Sequence, residues 1–501
     1  MEFQRVLIAN RGEIAVRIAR TLRELGIQSV AVYSEADRQA LHVLTADYAV
    51  PIGPAESSQS YLNMDRLIQA ARETGAQAIH PGYGFLSENA EFARRVQEAG
   101  LVFIGPNPEA MEVTGDKLQA RQRAMKAGVP VIPGTTRGLT DAREALEAAR
   151  QIGFPVLLKA AMGGGGKGMR IVRNEEEFPS LFTLASQEAE AAFGDGRLYV
   201  EKFLENPRHV EIQILVDHHG NGVYIGEREC SVQRRHQKVI EETPSPVVDD
   251  RLRQEMGEAA VALALETGYT NAGTVEFLVD SDGRFYFLEV NARLQVEHPI
   301  TEMRFGLDLV EQQLRIAMGQ KLPFDQLNLV GLGHAIEARI YAEDPFQNYL
   351  PSPGVVRYLV EPGGPGIRVD SGIYQGFEVP VYYDPILSKL IAWGETREQA
   401  LRRLHRALEE YLILGLQTNI PLHLAVLQDP RFRSGEYDTG LLQDFQLEPR
   451  QDPPELLIGA ALLGWADRRA VAQPLAETSA RTGRGISTWR ALYFPGKVRG
   501  I

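Results

Sequence analysis

Val6-Leu7-Ile8-Ala9-Asn10-Arg11-Gly12-Glu13-Ile14-Ala15 opens a stretch that closes at Ser29-Val30-Ala31-Val32-Tyr33. Its two ends are short runs of strand-forming residues, and Ile14, Ile18, Leu22 and Leu25 between them recur at helical spacing until Gly26 stops the helix. Strand, helix and strand in this order form a βαβ unit with parallel strands, so the fold class is α/β. The first turn, Asn10-Arg11-Gly12-Glu13, lacks the G-x-G-x-x-G that seats a pyrophosphate on a helix N-terminus, which removes the main support for a dinucleotide-binding reading. Ala78-Ile79-His80 and Leu101 to Ile104 read as further strands around the loop Pro81-Gly82-Tyr83-Gly84-Phe85, and this layer ends near residue 114.

Downstream, Val156-Leu157-Leu158-Lys159 leads into Met162-Gly163-Gly164-Gly165-Gly166-Lys167-Gly168-Met169, then a helix and the strand Leu198 to Phe203. A glycine-dense loop between strands predicts a small mobile lid over residues 131–204. Residues 205–335 are strand-rich. In His209-Val210-Glu211-Ile212-Gln213-Ile214 polar and apolar residues alternate, which predicts a half-buried strand whose His209, Glu211 and Gln213 border a cleft. Residues 336–446, with Pro/Gly turns and a helix from Arg397 to Tyr411, read as a further subdomain. Beyond the linker-like Pro449 to Pro454, one apolar helix, Glu455 to Ala466, precedes a polar, Arg-rich tail.

The 501 residues suggest roughly three domains or one large multilayer unit. With 53 Lys plus Arg against 66 Asp plus Glu, the net charge is −13, so nucleic acid and anionic membranes are poor partners and any bound anion must meet a local cluster of cations. A single cysteine, Cys230, cannot form an intrachain disulfide and points to the cytoplasm. The N-terminal apolar run is too short for a signal-peptide core, and the longest apolar stretch, Leu456 to Trp465, is too short to span a bilayer, so a soluble protein is expected.

Three motifs carry chemistry. The glycines at 163 to 166 and 168 would let backbone N–H groups approach phosphate oxygens, with Lys167 and Lys159 supplying charge; a Walker loop is excluded because Gly168 follows Lys167 and position 161 is Ala, while a plain flexible linker stays open. Thr274 to Val279 and Arg284 to Asn291 flank Asp280-Ser281-Asp282-Gly283, a hairpin signal. A two-residue turn at Asp282-Gly283 sets Glu276 directly opposite Glu289, with Asn291 on the same face; a four-residue turn, Asp280 to Gly283, keeps the glutamates on one face but no longer opposite, and a three-residue turn would split them. Paired carboxylates repel, by about 4 kcal/mol at ~4 Å and an effective dielectric near 20, and a divalent cation would remove that cost. A solvated hairpin with outward glutamates is the alternative. The third motif, Arg234-Arg235-His236-Gln237-Lys238 with Arg293, Glu297 and His298 downstream, suits anion handling, but basic runs are often solvated faces, and Glu297 beside Arg293 is equally a structural ion pair.

Longer motifs point further. Arg228-Glu229-Cys230-Ser231-Val232-Gln233-Arg234-Arg235-His236-Gln237-Lys238, Glu201-Lys202-Phe203-Leu204-Glu205-Asn206-Pro207-Arg208-His209, Glu289-Val290-Asn291-Ala292-Arg293-Leu294-Gln295-Val296-Glu297-His298-Pro299, His80-Pro81-Gly82-Tyr83-Gly84-Phe85-Leu86-Ser87-Glu88-Asn89 and Ala342-Glu343-Asp344-Pro345 resemble the biotin carboxylase component of biotin-dependent carboxylases, over about residues 1–445. The resemblance implies an ATP-grasp fold: a Rossmann-like preATP-grasp domain (1–114), an ATP-grasp domain (115–335) that includes the lid, a C-terminal biotin carboxylase domain (336–446) and an extension (447–501). It implies ATP-dependent carboxylation of biotin by bicarbonate, the first half-reaction of an acyl-CoA or keto-acid carboxylase, most often acetyl-CoA carboxylase of fatty acid biosynthesis.

By the same resemblance Lys117, Lys159 and Gly163, Gly164, Gly165, Gly166 and Gly168 hold ATP phosphates, Glu201, Lys202, Phe203 and Leu204 hold the adenine, and His209, Gln233 and His236 line the nucleotide site. Glu276, Glu289 and Asn291 match magnesium or manganese ligands. Bicarbonate would sit among Lys238, Arg293 and the Val296 backbone, with Glu297 as base and Arg339 stabilising the biotin anion. Val290 and Ala292 depart from the Met and Thr common in the family, and neither supplies a ligand side chain. Ala124-Met125-Lys126-Ala127 looks superficially like a biotinylation site but lies on the helical run Leu118 to Ala127, so biotin is expected on a separate biotin carboxyl carrier protein. Carboxyltransferase subunits and a homodimer complete the expected assembly. Another ATP-grasp ligase, such as a purine-pathway carboxylase, and an inactive ATP-binding scaffold are the alternatives.

Overall fold

The computed structural model describes residues 2–161, 169–235, 237–443 and 445–447. The glycine loop at Gly163 to Gly168, His236 and the extension from residue 448 lie outside the described residues.

The opening βαβ unit forms as its pattern dictates. Strands β1 (Arg5–Ile8) and β2 (Gln28–Ser34) pair in parallel around the helix Gly12–Glu24, whose Ile14, Ile18 and Leu22 are buried. With β3 (Tyr48–Gly53), β4 (Ala78–His80) and β5 (Val102–Phe103) they make a parallel sheet of order β3-β2-β1-β4-β5. In the second region β6 (Val156–Ala160) runs between β7 (Arg170–Val172) and β8 (Leu198–Lys202), antiparallel to both, and the helices Ala142–Ile152 and Phe178–Phe193 bury Ala145, Phe178 and Phe182 with them in a separate small core.

Most of the site's charged side chains lie on or beside a third, fully antiparallel sheet. Its strands are β9 (Arg208–Val216), β10 (Gly222–Arg234), β11 (Gln237–Thr243), β12 (Asn271–Val279), β13 (Phe285–Asn291), β14 (His334–Tyr341), β15 (Ile367–Ser371) and β16 (Ile386–Gly394), in the order β13-β12-β9-β10-β11-β14-β16-β15. The β11–β14 pairing carries this sheet across residue 335 without a break. Among the described residues no helix is long and apolar enough to cross a membrane.

Two local expectations change. Strand β9 is buried along its whole length rather than half-buried, because β12 and β10 flank it and the helix Asp250–Glu266 packs on it; its polar residues meet buried partners instead of water. The β12–β13 turn holds three residues, Ser281 to Gly283, closed by Asp280 N donating to Arg284 O at 2.9 Å. That turn alone would have split the glutamates. A bulge at Leu288 restores the pairing: Phe277 faces Phe287, and the next pair is Glu276 with Glu289.

Candidate active site

The carboxylate pair stands where the hairpin argument put it, for a different reason, and it is not solvated. Glu276 is 4% exposed and receives Lys238 Nζ at 2.9 Å, His209 Nε2 at 2.8 Å and Asn291 Nδ2 at 2.9 Å. Burial would raise its pKa, but Lys238 and His209 hold it far below the ordinary carboxylate range. Glu289 moves the other way: burial raises it, and the charge of Glu276 raises it further. The two acids differ because Lys238 and His209 both serve Glu276, while Glu289 is raised by burial and by its charged neighbour.

Lys238 is the hub. Its ammonium donates to Glu211 at 2.6 Å, Glu276 at 2.9 Å and Glu297 at 2.7 Å. Burial would lower its pKa, yet Cys230 and these carboxylates keep it well above the ordinary lysine value. Glu211 also accepts from the fully buried Arg228, which further reaches Gln213 at 2.7 Å and Thr274 at 3.1 Å. Glu297, fully buried at the start of the helix His298–Phe305, lies between Lys238 and Arg339, whose guanidinium is 3.0 Å away. Burial would raise Glu297, but Lys238 and Arg339 outweigh it and hold the acid ionised. Arg339 is steadied by Glu241 at 2.6 Å.

Arg293 is held by Glu88 at 2.9 Å, Gln295 at 2.8 Å and Asn291 at 3.2 Å. The other oxygen of Glu88 accepts the Ala292 amide at 2.9 Å, so this carboxylate from the N-terminal layer grips the 292–293 segment twice. Gln233 donates to His209 Nδ1 at 2.6 Å. The basic run is thus divided between the surface and the site. Arg234 ends β10, pairs with Glu343 at 2.7 Å and stacks on Tyr349; Arg235 turns the chain at positive φ and is exposed; Lys238 is half-buried and faces the carboxylates.

These groups surround a cavity of about 960 Å³ lined by His209, Gln233, Lys238, Glu276, Glu289, Asn291, Arg293, Val296 and Arg339, with Lys159 from the three-stranded sheet on its far side. A second cavity of about 460 Å³ opens between the parallel sheet and the C-terminal region; it shares Arg293, Val296 and Arg339 and adds Tyr83, Gly84 and Tyr382. Lys117, at the head of a helix capped by Asp116, lines a smaller adjoining space with Glu289 and Asn291.

Not every expected residue converges. Lys159 Nζ pairs with Glu201 at 2.6 Å, and Lys202 Nζ is 3.0 Å from the Gly153 and Phe154 carbonyls; Glu201 to Leu204 do not line the large cavity. Lys126 lies on the expected helix and pairs with Glu266 at 2.6 Å. Sequence reasoning assigned no role to Arg228, Glu211, Glu241, Glu88 or Gln295. Glu211 stood on the alternating face already noted, and Glu88 within a quoted motif, so position was visible while partners were not.

An antiparallel sheet with a metal-type carboxylate pair, faced across a cavity by a small lid sheet that offers a lysine, defines the ATP-grasp class. The matching family models are "Biotin carboxylase, N-terminal domain" over residues 2–111, "Carbamoyl-phosphate synthase L chain, ATP binding domain" over 116–325 and "Biotin carboxylase C-terminal domain" over 337–444. A biotin carboxylase from a Nostoc species is 51% identical over 444 residues, covering 89% of this chain and 99% of that one. A pyruvate carboxylase subunit from Methanothermobacter thermautotrophicus is 51% identical, covering 89% and 90%. The biotin carboxylase domain dimer of the Hydrogenobacter thermophilus 2-oxoglutarate carboxylase, solved with magnesium ADP, ADP and bicarbonate, is 47% identical with a TM-score of 0.83, covering 89% and 98%. The chain belongs to the biotin carboxylase family. It is an ATP-dependent ligase, the biotin carboxylase subunit of a biotin-dependent carboxylase.

Proposed function

We propose that the chain carboxylates carrier-bound biotin with bicarbonate and ATP by way of carboxyphosphate, and that this is the first half-reaction of acetyl-CoA carboxylase. The observation that carries the reading is Glu297, a fully buried carboxylate fixed between Lys238 and Arg339 and next in the chain to Val296, which with Arg339 lines both cavities. One cavity is large enough for a nucleotide, and the other opens toward the surface for a second substrate.

In this reading Lys117, Lys159 and the 163–168 glycines hold the phosphates, and Glu201 to Leu204, with His209, Gln233 and His236, the nucleoside. The Glu276, Glu289 and Asn291 oxygens fit a magnesium or manganese ion, because the two carboxylates stand opposite one another and all three side chains line the same cavity. When bound, it would neutralise phosphate charge. Bicarbonate sits by Lys238, Arg293 and Val296. Without the anion Glu297 is an ion-pair partner; as bicarbonate draws Lys238 and Arg339 toward itself, Glu297 becomes free to take the bicarbonate proton. The resulting carbonate oxygen attacks the γ-phosphorus and ADP leaves. Carboxyphosphate then splits to carbon dioxide and phosphate, the phosphate accepts the biotin N–H proton, and the ureido nitrogen attacks carbon dioxide while Arg339 stabilises the anion. A closed, water-poor site is what makes this chain of anions sustainable.

We also propose the division 1–114, 115–335 and 336–446 with an extension from 447, a homodimer, a cytoplasmic setting, and a separate biotin carboxyl carrier protein and carboxyltransferase as partners. The pyruvate carboxylase relative favours a second reading of the final acceptor, a keto acid; another acyl-CoA, such as propionyl- or methylcrotonyl-CoA, is the remaining alternative. Incubation with ATP, magnesium, labelled bicarbonate and free biotin tests the activity: acid-labile label on biotin is expected, and its absence under conditions where ATP binds overturns the reading.

A further inference from the structure

Behind the wall formed by Glu297 and Arg339 lies a second fully buried cation, Lys389 on β16. It lines neither cavity. Its ammonium donates to the Val296 carbonyl oxygen at 3.0 Å, lies 3.2 Å from a carboxylate oxygen of Glu13 and sits 5.7 Å from the centre of the Tyr83 ring. Lys389 stands directly opposite Arg339 in the β14–β16 ladder, so their side chains share a face.

Asp370 faces Lys389 from the other neighbouring strand, so with Glu13 the lysine is charge-balanced beside Arg339, at a desolvation cost that an apolar residue would not carry. What the lysine adds is a fixed hydrogen bond to one peptide plane. The Val296 carbonyl and the Glu297 amide belong to the same planar unit, so anchoring the oxygen fixes the direction in which the chain enters Glu297. We propose that Lys389 is a positioning residue for the bicarbonate step: from behind the site it clamps the Val296–Glu297 peptide, and through Glu13 it ties that peptide to the first turn of the N-terminal helix. The inference rests on the bicarbonate site proposed above. It assigns Lys389 no contact with substrate.

The test separates positioning from bulk stability. Lys389→Met leaves Glu13 buried without its cation, so stability falls. The double variant Glu13→Gln with Lys389→Met removes both charges and recovers stability while the clamp stays absent. In this double variant we expect the bicarbonate KM to rise about tenfold or more, because small misplacements near a reacting group cost this much. ATP affinity should stay at the wild-type value, and amide hydrogen exchange over residues 294–298 of the unliganded protein should accelerate. Glu13→Gln alone, which keeps the Lys389 hydrogen bond to Val296 but cuts its tie to the N-terminal helix, should raise the bicarbonate KM less than the double variant does. A wild-type bicarbonate KM with unaltered exchange in the double variant overturns the role of Lys389, as does an equal loss of ATP and bicarbonate affinity or a double variant that fails to fold. Absence of bicarbonate-dependent ATP cleavage in the wild-type chain would instead sink the proposed function itself.

Discussion

The three-stranded lid sheet and the long antiparallel sheet use the same charged residues and spend them differently. Around the lid, Arg150 pairs with Glu175 and Arg197 with Asp195, and each arginine is about half exposed. In the long sheet Arg228 and Glu211 pair with neither exposed at all, next to Lys238, Glu276 and Glu297. Water screens the first kind of pair, so forming or losing one changes little. The second kind must balance a large desolvation cost with near-complete hydrogen bonding, and removing one member strands the other. The lid is held by an apolar core of Val156, Leu158, Phe178 and Phe182, free to carry surface charge at random; the long sheet carries charge in its core, and Lys238 and Glu276 bring part of it to the cavity.

The contrast can be broken by substitution. The largest effect belongs to Glu297→Gln, which should lower bicarbonate-dependent ATP cleavage by about 10²–10⁴-fold while nucleotide binding stays nearly intact; a loss of ATP affinity instead would mean that Glu297 serves the nucleotide. Next, Arg228→Met leaves Glu211 with Lys238 alone and takes a donor from Gln213 and Thr274, and should cost roughly 3–5 kcal/mol in chemical denaturation, with partial recovery on adding Glu211→Gln. A cost near that of a surface pair would erase the distinction.

A pH series sharpens it. Burial pushes Glu242 up, but His334 and Arg397 pull it down to about 2. A carboxylate whose folded pKa lies below its ordinary 4.5 stabilises the fold above that value, and the contribution disappears as pH falls toward 2. Glu242→Gln should therefore destabilise by roughly 3 kcal/mol at neutral pH, with the gap to wild type closing in acid. A gap independent of pH would show that packing, not ionisation, sets its role. Glu289→Gln should raise the magnesium needed for ATP cleavage by about tenfold, and an unchanged titration would remove the metal site. Smallest of all, Arg150→Ala in the lid should leave the thermal midpoint where it was.

Periodicity was enough for the βαβ unit, because a helix face and two short strands are read from neighbours a few residues apart. Motif length was enough for the family. The hairpin shows the limit. Its turn reads as two, three or four residues, and no local signal announced that a bulge at Leu288 would undo the three-residue register and return Glu276 and Glu289 to one another. The alternation in β9 was visible, but the prediction of a half-wet strand failed because the partners of Glu211, Arg228 and Lys238, come from other strands of the sheet.

Residue order alone determined which side chains were available: the glutamates, the cations and the alternation that sends them to one face. Tertiary structure decided which of them would meet. Ionisation and hydrogen bonding act over a few ångströms, whereas Lys389 and Val296, or Glu88 and Arg293, are separated by long stretches of chain and become neighbours only when the sheets close around the cavity.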